Sequence, residues 1–226
     1  MPREEYQEQL EDLREDVLYM SEVVHDRLTL GLDALETKDE ELAREVIDGD
    51  EEINQLYLDL ERECVNLIAL QQPVAGDLRF IAASFKIITD LERVADLAVN
   101  LGEYALEAEQ DMYPDVDVQA IGEEVVTMNE QAMDAYAEED TDLCYAIGDR
   151  DDDVDMLCQD ASDTVMRNLI EREIDAETAE QEVESLMRDV SRLLLTIRDL
   201  ERVGDHAVNI AARTLYMVDN DDALIY

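Results

Sequence analysis

The chain has 226 residues, of which 61 are Asp or Glu and 17 are Lys or Arg, for a formal net charge of -44 at pH 7. A surface this negative argues against DNA, RNA and anionic membranes as partners, because their phosphates would be repelled and not neutralised. Yet 46% of the residues are hydrophobic, too many for a disordered acidic polymer, and acids spread over every segment suit a salt-rich cytoplasm whose ions screen the self-repulsion.

Taken in order, the apolar spacing predicts six helices, at 4–36, 39–69, 74–109, 115–138, 141–172 and 177–217, with no strand-like alternation anywhere. The first carries one stripe of Leu10, Leu13, Val17, Met20, Val24 and Leu28. The second repeats the pattern with Ile53, Leu56, Leu60, Cys64 and Leu67. Pro73 stops it, and Asp77 falls where a helix N-terminus favours an acid. Pro114 interrupts the chain near its middle, and Thr141 suits the start of the fifth helix. The sixth carries Leu186, Val190, Leu193, Ile197, Leu200 and Gly204. Helices near 30 residues rise about 45 Å and bury a single stripe against neighbours, which predicts an all-α bundle of long antiparallel helices. No apolar run has the length of a membrane span and no signal-like segment opens the chain. Cys64, Cys144 and Cys158 lack CxxC spacing and read as core thiols, and with His25 and His206 as the only histidines a His-rich metal site is excluded.

Two segments are near copies. Residues 90–100 read DLERVADLAVN and residues 199–209 read DLERVGDHAVN, so nine of eleven positions agree. A weaker echo links DEEINQL at 50–56 to DDDVDML at 151–157. The offset changes from 101 to 109 between the echoes, which requires an insertion that residues 171–180 can hold. The chain thus divides into tandem three-helix repeats, 1–112 and 113–226, although a continuous six-helix array fits the same pattern.

Within the copies, Glu92 and Asp96, like Glu201 and Asp205, are four apart and stack on one helix face, with Asn100 and Asn209 one turn further on. Like charges so placed repel unless a cation intervenes, bound from solution or supplied by Arg93 and Arg202. The echo provides matching pairs on preceding helices, Asp50 with Asn54 and Asp151 with Asp155. Two acidic ladders on adjacent helices could hold hard metals through oxygen, favouring Mg, Mn, Fe or Ca over structural zinc. A helix-packing signature, with the arginines paired to Asp90 and Asp199 or to other helices, explains the duplication equally. No Ser/His/acid arrangement or Gly-rich phosphate cradle is present, and the Glu-x-x-His pairs of a ferritin-like oxidase are missing. His206 reads as a surface or packing residue.

QQPVAGDLR at 71–79, KIITDLERVADLAVN at 86–100 and RDLERVGDHAVNIA at 198–211 resemble the PhoU family of phosphate-uptake regulators over nearly the whole chain. The resemblance implies two related three-helix bundles and a non-enzymatic role. Its acidic E(D)xxxD motif falls on Glu92 with Asp96, Glu201 with Asp205 and Asp151 with Asp155. In the first half it falls on Asp50, where Asn54 stands in place of a second carboxylate. By the same resemblance these residues carry a divalent or multinuclear metal (Fe, Mn, Mg, Zn or Ni). The partners are the ATPase subunit of a phosphate ABC transporter and, in some members, a sensor kinase. The resemblance also implies a cytoplasmic location and a homodimer. Two other readings stand beside it: a metal-dependent phosphohydrolase or carboxylate-metal oxidase, and a purely structural helical adaptor.

Overall fold

A computed structural model describes residues 3–70, 73–108, 116–171 and 180–225. Its helices are α1 (Arg3–Thr37), α2 (Glu40–Asp48), α3 (Asp50–Leu70), α4 (Ala75–Glu107), α5 (Val118–Glu138), α6 (Thr141–Glu171) and α7 (Glu180–Asp219). Since α2 and α3 are one helix broken at Gly49, six helices form two three-helix bundles. The first joins α1, α2–α3 and α4. The second joins α5, α6 and α7, with α4 against α7 and α1 against α5 between them.

The single helix expected at 39–69 is therefore interrupted. Gly49 keeps a right-handed conformation (φ -78°, ψ -8°), so the apolar period runs through the break and hides it. The Arg27 guanidinium of α1 lies where a side chain on Gly49 would project. It donates to Glu45 O at 3.2 Å and pairs with Glu52 at 3.2 Å. A side chain at this position would have to displace the guanidinium from where it lies.

The repeat is clearest in the turns. Lys38 (φ 54°) and Glu139 (φ 57°) are both left-handed and each is followed by an aspartate. Asp39 accepts from Glu41 N and Leu42 N, and Asp140 accepts from Leu143 N at 3.0 Å. An αL residue that ends one helix and an acid that caps the next make a two-residue helical hairpin in each half. The fifth helix starts at Thr141, as expected, and Asp140 is the side chain that caps it.

The stripe residues of α1 are all buried, as are Ile53, Leu60, Cys64 and Leu67 of α3. Leu56 and Leu193 are only partly covered. The three cysteines are buried free thiols. One contiguous core includes residues of both bundles, so neither bundle closes its apolar surface alone. At each buried aliphatic side chain about 1.5–3 kcal/mol favours folding, and here much of that is realised between bundles. Ser84 of α4 meets the buried Tyr136 hydroxyl of α5 at 2.7 Å, and Arg14 of α1 donates to Ala137 O and Glu139 at the end of α5. The expected boundary at 112/113, the break at Pro114 and the insertion at 171–180 fall wholly or largely outside the described residues.

Candidate functional site

The duplicated segments form the central part of the junction between α4 and α7. Asn209 Nδ2 donates to Asp90 Oδ1 at 3.3 Å, and Asn100 Nδ2 donates to Asp199 Oδ2 at 3.0 Å. The first residue of each copy thus meets the last residue of the other. This reciprocity requires that the two helices run antiparallel, and it relates the bundles by an approximate two-fold. The asparagines, expected to extend the acidic ladders, instead clasp the bundles together. Spacing alone did not disclose this, because the contact joins residues ten apart within each copy across two different helices.

The ends of the clasp differ. Asp90 is also bound by His206 Nδ1 at 2.8 Å, so the histidine read as surface or packing is a polar link between the bundles. Leu97 occupies the position in the first copy that His206 holds in the second, and it has nothing to donate to Asp199. Asp199 is fully buried and is served otherwise: by Tyr104 Oη at 2.8 Å, by Arg198 at 2.9 Å and by Arg202 at 3.6 Å. Burial and the bond to this aspartate push the Tyr104 phenol up to about 12.

This accounting fixes the state of the acidic ladders. With His206 serving Asp90, Arg93 turns to its own ladder, 3.2 Å from Asp96 and 3.4 Å from Glu92. Its counterpart Arg202 is held by Asp199. On α3, Asn54 Nδ2 donates to Asp50 Oδ2 at 2.7 Å. The first face thus has both an arginine and an amide within it.

Among the described residues, no arginine or amide bonds the carboxylates of the second face, and Arg202 and His206 act on Asp205 only from a distance. Asp151 and Asp155 of α6 lie within electrostatic reach of Glu201 and Asp205 of α7. Burial first, then Asp155 and Asp205, raise the Asp151 carboxyl from 3.8 to about 6. Glu201 is raised by burial and then by Asp155, and Asp205 by burial and Asp155 with His206 and Arg202 opposing. In the first face, Asp50 is raised by burial and Asp96, against the opposing bond from Asn54. Glu92 is raised by burial and Asp96, with Arg93 opposing. Asp151 Oδ1 is buried and has no hydrogen-bond partner. It stands 3.5 Å from where a Cβ on Gly204 would be, so the glycine in place of Ala95 opens room beside it.

Each group of four lies on two neighbouring helices, as expected: Asp50 and Asn54 beside Glu92 and Asp96, and Asp151 and Asp155 beside Glu201 and Asp205. Among the described residues, no three His, Cys, Asp or Glu side chains converge tightly enough to grip an ion as they stand. The chemistry of the second set still fits a hard cation. It offers four carboxylates, one oxygen without a donor, and, on Asp151, Glu201 and Asp205, pKa values raised by burial and by neighbouring carboxylates whose repulsion a cation would relieve. The first set fits less well, because part of its charge is already answered.

A two-repeat helical bundle joined by a duplicated polar clasp defines a narrow class of protein. The PhoU domain model matches residues 17–105 and 118–214, one match in each half. The chain belongs to the PhoU family. It is 33% identical over 222 residues to a phosphate-specific transport system accessory protein PhoU homolog of Pseudomonas aeruginosa, covering 97% of this chain and 87% of that protein. It is 34% identical to a homolog of the same description from Methanothermobacter thermautotrophicus, covering 96% and 95%. The crystal structure of PhoU from Pseudomonas aeruginosa superposes with a TM-score of 0.86 at 32% identity, covering 96% of this chain and 100% of that one. A phosphate transport system regulatory protein PhoU from Streptococcus pneumoniae has the same fold, with a TM-score of 0.85 at 23% identity.

Proposed function

We propose that the protein is a cytoplasmic regulator that lowers phosphate uptake by acting on the ATPase subunit of a phosphate ABC transporter. Family membership carries the coarser statement, a non-enzymatic regulatory role in phosphate transport and homeostasis, and it removes the phosphohydrolase and oxidase alternatives. The observation that supports the fuller reading is the match of both halves, over almost the whole chain, to accessory proteins of the phosphate-specific transport system. No helix among the described residues is long and apolar enough to cross a membrane, which fits a subunit that meets the transporter from one side. A sensor kinase is the second partner under the same proposal.

Asp151, Asp155, Glu201 and Asp205 would hold a divalent or multinuclear metal, with Asp50, Asn54, Glu92 and Asp96 as a weaker counterpart. A bound cation would neutralise the carboxylate ladder and fix α6 against α7, giving a partner-binding face of defined shape. The protein's own contribution is to present oxygen ligands on rigid helices and, through Gly204, to leave no methyl beside the unpartnered Asp151 Oδ1.

Deleting the gene and measuring phosphate uptake and stored polyphosphate in phosphate-rich medium tests the role. Both should rise, and unchanged values in a strain without a paralogue would refute it. The proposal includes a homodimer, for which light scattering in about 1 M KCl, where charge repulsion is screened, should give twice the chain mass.

A further inference from the structure

We propose that residues 220–225 form a latch that positions the α6 side of the second acidic face, with Leu224 as the side chain that closes it. The proposal rests on the reading of Asp151, Asp155, Glu201 and Asp205 as metal ligands, and it concerns what holds them in place. Asn220 ends α7 in the left-handed region (φ 56°), and its N–H donates to Tyr216 O at 3.1 Å. Asp221 follows, and its Oδ1 accepts from Ala223 N at 2.9 Å. Lys38 with Asp39 and Glu139 with Asp140 make the same turn, and there the aspartate caps a new helix. After Asn220 the turn instead lays the chain back on α6. Tyr145 Oη donates to Asp221 Oδ2 at 2.8 Å, and three residues further along both segments Leu224 reaches Gly148. A Cβ on Gly148 would lie 2.8 Å from Leu224 Cδ2, so the leucine takes up the space of a side chain at 148. Leu224 also packs against the main apolar core.

The first half fills the matching position from within its own helix. The left-handed turns and the aspartates Asp50 and Asp151 share an offset of 101, which sets Gly148 against Ile47. Ile47 Cγ1 lies 3.3 Å from where a Cβ on Gly102 would be, so that isoleucine packs on α4. In the second half Ala211 stands in place of Gly102, and glycine in place of the isoleucine. The apolar volume that α2 carries on its own backbone is thus supplied to α6 by a side chain on a short tether.

The position of this plug links it to the acidic face. Gly148, Asp151 and Asp155 are spaced by three and four residues and share one stripe of α6. Leu224 therefore closes on α6 one turn before Asp151, whose Oδ1 stands beside Gly204 of α7. The hydrogen bond that steadies the segment comes from Tyr145, which is 41% exposed, and Leu224 itself is only partly buried. Contacts so exposed open more readily than the interiors of the helices they join, so the latch can leave while α6 and α7 stay folded. Docked, it holds the α6 stripe against α7. Released, it lets the first turns of α6 loosen and Asp151 draw away from Glu201 and Asp205, which lowers the hold on a cation.

Amide hydrogen exchange of the metal-free full chain in about 1 M KCl reads the latch directly. Leu224→Ala should speed exchange at residues 147–152 by about fivefold or more. Adding Gly148→Ile, or Gly148→Val where isoleucine does not fit, restores the helix-borne side chain of the first half and should return exchange to within about twofold of the parent. Ile225→Ala, in the same segment, should change it by less than about twofold. Manganese(II), titrated calorimetrically into the same proteins, should bind Leu224→Ala about tenfold more weakly than the parent and recover its affinity in the double variant. The proposal is overturned by unchanged exchange in Leu224→Ala, by failure of both substitutions at Gly148 to rescue it, or by equal manganese affinity in the parent and Leu224→Ala. A parent that takes up no manganese refutes the metal reading of the face instead, and exchange then decides whether the latch holds α6.

Discussion

The two acidic faces descend from the same pattern, yet one contains its own counter-charge and the other does not. Both differences within the eleven-residue copies bear on this. His206 in place of Leu97 serves Asp90 while Arg93 pairs with Glu92 and Asp96, whereas Arg202 pairs with Asp199 and reaches Asp205 only from a distance. Gly204 in place of Ala95 leaves space beside the unpartnered Asp151 Oδ1. The character of a face is thus decided on another helix, by which side chain satisfies a buried aspartate at the clasp.

The largest effect should come from breaking the clasp at its buried end. Asp199→Ala strands Asn100 and Tyr104 and should cost about 3 kcal/mol, the scale for removing one partner of a buried charged network. Asp90→Ala, at the partly exposed end with His206, should cost about 1–2 kcal/mol. Denaturant unfolding in high KCl reads both, and equal losses would remove the asymmetry of the clasp.

A smaller effect separates the faces by pH. A carboxyl near 6 when folded, against an ordinary 3.8, holds its proton more tightly in the fold. Its stabilising contribution is therefore complete below about pH 4 and is lost as pH rises through about 6. In chelator-treated protein, Asp151→Asn should stabilise by about 1 kcal/mol at pH 7, allowing for solvent screening, and by nothing at pH 4. Asp50→Asn should stay within about 0.5 kcal/mol at both. Thermal melts at the two pH values distinguish these outcomes.

Smaller still is the exchange at the crossing. Around Gly204 a methyl would meet Asp151, Val154 and Val125 at 3.5–3.7 Å, ordinary contact distances. Gly204→Ala should therefore gain about 0.5–1 kcal/mol of helix stability while lowering metal retention. Calorimetry and elemental analysis on one sample check the pair, and a destabilised variant would show that the glycine serves helix approach alone.

Much of this was legible in the chain. The apolar stripes of α1 and α7 gave the helices and their buried faces, and the doubled segment gave the repeat. The ladder residues also fell on adjacent helices as their spacing required. Three features were not legible, each because a partner distant in sequence decides it. At Gly49 the helix is interrupted beside Arg27, a residue of another helix. Asn100 and Asn209 belong to a clasp that exists only when α4 and α7 lie antiparallel. Arg93 and Arg202 share a motif position but part company because of Leu97 and His206. A hint was present in the mismatches: positions that differ between otherwise identical copies mark where the halves have different tasks.

The direct test of the asymmetry is metal content per chain. Asp96→Asn and Asp205→Asn, purified without chelator in high KCl with circular dichroism confirming that both stay helical, should be compared by elemental analysis with the parent protein. The account predicts that Asp205→Asn loses the larger share of bound metal, because it removes a carboxylate from the face whose arginine is paired elsewhere. Equal loss, or greater loss from Asp96→Asn, would contradict it.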